Sequence, residues 1–241
     1  MDAVTLGIEQ DDRPVAPPDW HQFRYYDLLL HVFVVVLLVS NLVAPKIVAL
    51  GPFRVSGAQL LFPIAYIFGD IFTEVYGYGA SRRAIWVGFF SSALLAVMGL
   101  IATALPPAPG WEDQAAFAKV FGFVPRLVAA SLVAYWAGEF ANSFVLAKLK
   151  LLTNGRHLWT RTIGSTAVGQ AVDTAVVMVG VFGGTLSWGL IANLIGSGYL
   201  AKVLYEVAAT PLTYAVVNFL KRKEGVDVFD YGTRFNPFRG Q

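Results

Sequence analysis

Apolar and polar positions along the chain separate into long blocks rather than alternating at short period. Six apolar blocks stand out, at 26–44, 60–77, 84–105, 127–149, 162–182 and 188–220. A helix rises 1.5 Å per residue, so ~20 residues cross the ~30 Å hydrocarbon layer of a bilayer. The blocks therefore predict an all-α, polytopic membrane protein with six transmembrane helices. The last block is too long for one crossing. Its NLIGSG stretch at 193–198 is expected to break it, leaving a helix from Tyr199 that bends near Pro211. The connections are expected at 46–59, 78–83, 106–125, 150–161 and 183–187. Trp111, Phe117, Phe121 and Phe123 mark 106–125 as an interfacial segment. Residues 1–23 lack the basic start and short apolar core of a secretory signal and read as a disordered tail. The membrane domain then spans 24–220, followed by a cytoplasmic tail at 221–241.

Composition supports this class. Charged residues make up 14% against an ordinary ~25%, and 56% are apolar. Mean hydropathy is +0.58. With 18 basic and 16 acidic residues the charge is nearly balanced, so no nucleic-acid partner is expected. The absence of cysteine excludes disulfides and thiolate metal sites. With the amino terminus inside, thirteen of the eighteen Lys and Arg residues fall on the cytoplasmic side. Only Lys46, Arg54, Lys119 and Arg126 fall outside, and Lys202 lies within the membrane. That bias places both termini in the cytoplasm.

The block at 62–77 reads FPIAYIFGDIFTEVYG. At helical spacing Tyr66, Asp70, Thr73, Glu74 and Gly77 share one face, while Ile64, Ile67, Phe68, Ile71, Phe72 and Val75 cover the rest. A carboxylate at the centre of a bilayer costs about 2.5–3.5 kcal/mol even on the lenient insertion scale. Two on one helix must therefore face a protein interior or a wet hollow. Other blocks repeat the pattern. Tyr135, Glu139, Asn142 and Ser143 share a face, as do Thr166, Gln170, Asp173 and Thr174, and the last block carries Lys202, Tyr205 and Glu206. Five acids and one base inside the membrane suit a ligand rich in N–H donors, a cation, or protons. Tyr135, Trp136, Phe140, Tyr199 and Tyr205 are available to stack on a planar ring.

Each of these residues also has a blander reading. A single buried acid can pair with Lys or backbone, and Lys202 with Glu206 at i, i+4 can be a local ion pair. His31, alone on an apolar span, reads as a hydrogen-bonded core residue. An intramembrane protease would want a deep Ser–His pair or an HExxH helix, and neither is visible. No GxxxxGK[ST] loop is present, so ATP hydrolysis by that route is excluded. Neither a cofactor nor a metal site is expected, and the chain reads as a non-enzyme.

The segment at 69–77 (GDIFTEVYG), with Phe62-Pro63 before it and Arg82-Arg83 after, resembles the signature of the queuosine precursor transporter family, also called the vitamin uptake transporter family. The resemblance continues at 41–46 (NLVAPK), in Gly138-Glu139 with Asn142, in Ser165-Thr166, in Gly169-Gln170 with Asp173-Thr174, and in Lys202 with Glu206. It implies six helices arranged like the substrate-binding component of energy-coupling-factor vitamin transporters. It also implies import of 7-cyano-7-deazaguanine and its aminomethyl analogue across a bacterial inner membrane. On that reading Glu74, Asp70 or Glu139 reads the guanine edge, and Gln170, Asp173 and Asn142 complete a polar ring. Lys202 and Glu206 balance charge, and Asn41, Tyr135 and Tyr205 join the site. The alternative is a carrier of another heterocyclic vitamin or nucleobase, proton-coupled or not. The first span shows no small-residue docking patch, so a self-sufficient protein, alone or as a homodimer, is expected.

Overall fold

The computed structural model describes residues 23–50, 53–122 and 125–238. The expected tail at 1–23 thus lies outside the described residues except for Phe23. Six α-helices are formed among the described residues: α1 (Tyr26–Val43), α2 (Phe62–Ala104), α3 (Gln114–Phe121), α4 (Pro125–Leu152), α5 (Leu158–Phe182) and α6 (Trp188–Glu224). Four of them, α1, α2, α5 and α6, are long and apolar enough to cross a membrane. The connection expected at 46–59 contains regular structure where it is described. It forms a small antiparallel hairpin, β1 (Ile47–Leu50) on β2 (Phe53–Ser56), followed by a 3₁₀ turn over Gly57–Leu60.

The second and third blocks form the two helical arms of α2 as expected, but they meet at a single non-helical residue, Gly77, and not across a turn at 78–83. Gly77 has φ 84° and ψ 172°, a conformation open in practice only to glycine. Contacts with α1 show that α2 folds back there. Tyr26 donates to the Ala80 carbonyl (2.9 Å) and packs edge-on against Phe72 and Tyr76. Phe33 meets Phe68 and Phe72 while also bordering Gly88. In a straight helix Phe72 and Gly88 would stand about 24 Å apart, beyond the span of one ring. α1 therefore lies against both arms of α2, and Tyr26, Leu30, Phe33 and Leu37 build the main core with Phe72, Val75, Tyr76, Ala80 and Ala84. The opposite face of the second arm exposes Phe90, Leu94, Val97, Met98 and Ile101, an apolar surface suited to lipid.

Helices α4 and α5 approach closely where two glycines meet. A Cβ at Gly138 would sit 3.0 Å from the Gly169 carbonyl oxygen and 2.8 Å from Asp173 Cβ, and one at Gly169 would sit 2.7 Å from Asn142 Cβ. Small residues at such crossings let backbones pack without a hydrophobic drive. The expected break at 193–198 does not occur. α6 is continuous over 37 residues, with Pro211 inside it, and ends at Gly225 in the left-handed region. Gly196 and Gly198 lie inside it, and neither takes a positive φ.

The residues after α6 are not a free tail where they are described. Val228 N–H donates to the Val75 carbonyl (3.2 Å) beside Gly77. Both oxygens of Asp230 accept from Tyr78 N–H (3.2 and 3.0 Å), which caps the start of the second arm of α2. Trp86 and Arg82 donate to the Pro237 and Asn236 carbonyls. Phe235 and Phe238 close an aromatic cluster with Tyr78, Trp86, Trp136 and Phe140. The segment is a strap across the end of the bundle.

Candidate functional site

Side chains from every long helix surround a cavity of about 520 Å³. That volume falls within the ~300–1,000 Å³ of small-molecule sites. Its polar wall consists of Asn41 from α1, Tyr66 and Ser92 from the two arms of α2, and Ser131 and Tyr135 from α4. Thr166 and Asp173 from α5 and Lys202, Tyr205 and Glu206 from α6 complete it. Leucine, alanine and valine fill the spaces between them. Asn41 Nδ2 donates to Ser92 Oγ (3.3 Å), and Tyr135 OH donates to the Ile85 carbonyl (3.4 Å). Lys202 Nζ donates to Asp173 Oδ2 (2.5 Å) and to Thr174 Oγ1 (3.3 Å). Lys202 therefore serves Asp173 across two helices and not Glu206 on its own helix, which corrects the local-pair reading. Both partners keep some solvent access, so their attraction is screened.

Next to the cavity lies a buried polar layer. Asp70 is 0% exposed, Glu206 and Gln170 are 2%, Asn142 is 3% and Glu139 is 4%. Asn142 Nδ2 donates to Asp70 Oδ1 (2.9 Å), and a Glu139 oxygen lies against Gly69, where a Cβ would meet it at 2.8 Å. Gln170 hydrogen-bonds the Tyr66 side chain. Of these five residues only Glu206 also reaches the cavity wall.

Glu74, one turn beyond Asp70, belongs to a different structure. Its carboxylate accepts from Arg161 Nε (2.9 Å) and Nη2 (2.6 Å) and from Lys221 Nζ (2.6 Å). Lys150 Nζ donates to the Glu74 carbonyl (2.5 Å) and the Val228 carbonyl (2.6 Å) and pairs with Asp227 (2.6 Å). Lys221 also pairs with Asp227 (2.9 Å). Partial burial would push the Asp227 carboxyl up, but hydrogen bonds and charge from Lys150 and Lys221 hold it below the usual range. Asp230 moves the other way: burial raises it, and Tyr78 N–H, Thr233 and Lys150 offset only part.

Of the residues singled out from sequence, Asn41, Tyr135, Asp173, Lys202, Tyr205 and Glu206 line the cavity. Asp70, Glu139, Asn142 and Gln170 form the adjoining layer, while Glu74 is spent on the ion cluster. Trp136 and Phe140, expected as ring-stacking partners, sit in the aromatic cluster under the strap. His31 is exposed rather than in the core, its Nδ1 sharing a hydrogen bond with the Asp27 carbonyl (2.5 Å). Sequence reasoning missed the roles of Arg161 and Lys150, each 1% exposed, because charges in a turn read as solvated. The excess of acids inside the membrane was the available signal. Tyr66, on the acidic face at helical spacing, joins the cavity wall as well.

The family model described as "Putative vitamin uptake transporter" matches residues 56–216. That stretch contains Gly77, the acidic layer and most of the cavity wall. The chain belongs to this family. A "Probable queuosine precursor transporter" of Bacillus subtilis (strain 168) is 27% identical over 186 residues, covering 77% of this chain and 81% of the relative. A "Queuosine precursor transporter" of Escherichia coli (strain K12) is 25% identical over 146 residues, covering 61% of this chain and 62% of that protein. No solved structure matches the chain. The family is one of transporters, not of enzymes. Among the described residues no group of three or more His, Asp or Glu side chains is placed to hold a metal ion.

Proposed function

We propose that this protein imports queuosine precursors, 7-cyano-7-deazaguanine and 7-aminomethyl-7-deazaguanine, across a bacterial inner membrane. The chain would cross six times, through α1, both arms of α2, α4, α5 and α6. The ion cluster of Lys150, Arg161 and Lys221 would mark the cytoplasmic end with both termini, following the Lys and Arg bias.

One observation carries the reading. The cavity offers Asp173 and Lys202 side by side at its wall, with Tyr66, Tyr135 and Tyr205 around it. A 7-deazaguanine edge presents a carbonyl acceptor, a ring N–H and an exocyclic amine in a row. A carboxylate next to an ammonium is the complement of that row, and tyrosine faces suit the flat bicyclic ring. Cargo would replace the contact between Asp173 and Lys202 with contacts of its own. The sequence reading gave the guanine edge to Glu74, Asp70 or Glu139; the cavity favours Asp173.

Binding of 7-cyano-7-deazaguanine, guanine and biotin to detergent-purified protein tests this directly. The expected result is saturable binding of the deazaguanine with at least tenfold weaker binding of biotin. Equal or tighter biotin binding would move the protein to another cargo.

A further inference from the structure

Asp173 has Lys202, and Glu74 has Arg161 and Lys221. Asp70, Glu139 and Glu206 form no ion pair among the described residues. They are electrostatic neighbours: Asp70 of Glu139, Glu206 and Glu74, and Glu139 of Asp173 and Glu206. Four oxygens of the layer, Asp70 Oδ2, Glu206 Oε1, Asn142 Oδ1 and Gln170 Oε1, are buried with no donor facing them. What the layer lacks is positive charge or donors. Three buried carboxylates that feel one another's charge and form no ion pair do not all ionise together, because unpaired charge in a low dielectric is neutralised instead.

We propose that Asp70, Glu139 and Glu206 form a proton-binding layer that couples cargo entry to proton entry. Each step is the addition of one proton to one carboxylate, giving a carboxylic acid whose O–H can donate to an oxygen of the layer. A metal cation suits the layer less well, since these acids do not gather around a common point. Position supplies the coupling. Glu206 borders both the cavity and the layer, one helical turn from Lys202 on α6. Cargo that draws Lys202 away from Asp173 changes the charge facing Glu206 and Glu139, and with it their proton occupancy. Asp70 lies one turn from Glu74, so the layer leads toward the basic end of the bundle. The facing groups are Tyr66 and Glu74 from α2, Tyr135 and Asn142 from α4, Gln170 and Asp173 from α5, and Lys202 from α6.

This inference rests on the proposed import of deazaguanines, and its test separates the two. Full-length protein is reconstituted in liposomes loaded with a pH-sensitive dye, and 7-cyano-7-deazaguanine is added outside. With an inward-directed proton gradient, uptake should rise about tenfold over the value without one, and cargo addition should acidify the lumen. Asp70→Asn and Glu139→Gln should keep cargo binding within about threefold, yet lose both the response to the gradient and the acidification. Retained binding in these variants shows that they fold. Uptake indifferent to the gradient, uptake driven by a sodium gradient instead, or acidification unchanged in both variants would each overturn the proton layer while leaving the transport assignment standing. Failure of the wild-type protein to bind 7-cyano-7-deazaguanine would remove both.

Discussion

Arg161 grips both carboxylate oxygens of Glu74, through Nε at 2.9 Å and Nη2 at 2.6 Å, with neither side chain more than 1% exposed. The contact ties α5 to the first arm of α2. Removing one member of such a pair strands the other in a low dielectric and costs about 3–5 kcal/mol. Glu74→Gln and Arg161→Met should each lower stability by roughly that amount, measured by thermal unfolding in detergent. The double variant should fall well short of the sum. Strict additivity would show that the pair does not act as a unit.

Asp173 and Lys202 should behave differently, since both line the cavity and keep solvent access. Asp173→Asn and Lys202→Met are expected to reduce deazaguanine affinity about tenfold or more, as loss of a buried polar partner costs ~1–3 kcal/mol. Folding should be nearly unaffected. Titration calorimetry beside thermal unfolding separates these effects, and unchanged affinity in both variants would place the cargo elsewhere.

Gly77 is where α2 reverses. An alanine there meets the Val228 side chain at 2.7 Å and must adopt a φ of 84°. Gly77→Ala should cost about 1–3 kcal/mol from the backbone alone and loosen the strap at 225–238. Faster proteolytic clipping after residue 224 is the readout. Wild-type clipping and melting would show that the hinge tolerates a side chain.

The crossing of α4 and α5 sets the height of Asp173. Gly138→Ala pushes a methyl group toward Asp173 Cβ and the Gly169 carbonyl, and backbone cannot swing aside as a flexible side chain can. Uptake should fall severalfold at similar membrane abundance. Gly184→Ser, where nothing stands within 4 Å although φ is 77°, serves as a control expected to alter stability only modestly and uptake not at all.

The strap should respond to acid through Asp227. Its carboxyl is held below the usual range by Lys150 and Lys221 when folded. Its contribution is therefore complete above the unfolded carboxyl value near 4 and is lost as pH falls through the folded value. Asp230, raised by burial, works in the opposite sense, since protonation relieves its desolvation. Loosening of the strap below pH ~4 that is abolished in Asp227→Asn is the expected outcome, read by proteolysis at stepped pH. Identical acid sensitivity in that variant would assign the effect to another group.

Block length and one-face spacing were enough to read the class and the acidic interior. Tyr66, Asp70 and Glu74 do share a face of α2, and Asp173 and Gln170 do point inward from α5. Other features depend on contacts between segments distant in sequence. NLIGSG at 193–198 has the composition of a breaker, yet α6 runs through it. The turn assigned to 78–83 is one glycine at 77, with Asp230, more than 150 residues later in the chain, capping the arm that follows.

Local sequence determined where helices form, because hydropathy and helical period are properties of neighbouring residues. It also determined that carboxylates must be housed inside, because hydrocarbon cannot solvate them. Which carboxylate lines the cavity, which is neutralised by Arg161 and which is left without a cation was decided only by tertiary structure. A charge takes its role from the partners within a few ångströms, and those partners come from other helices.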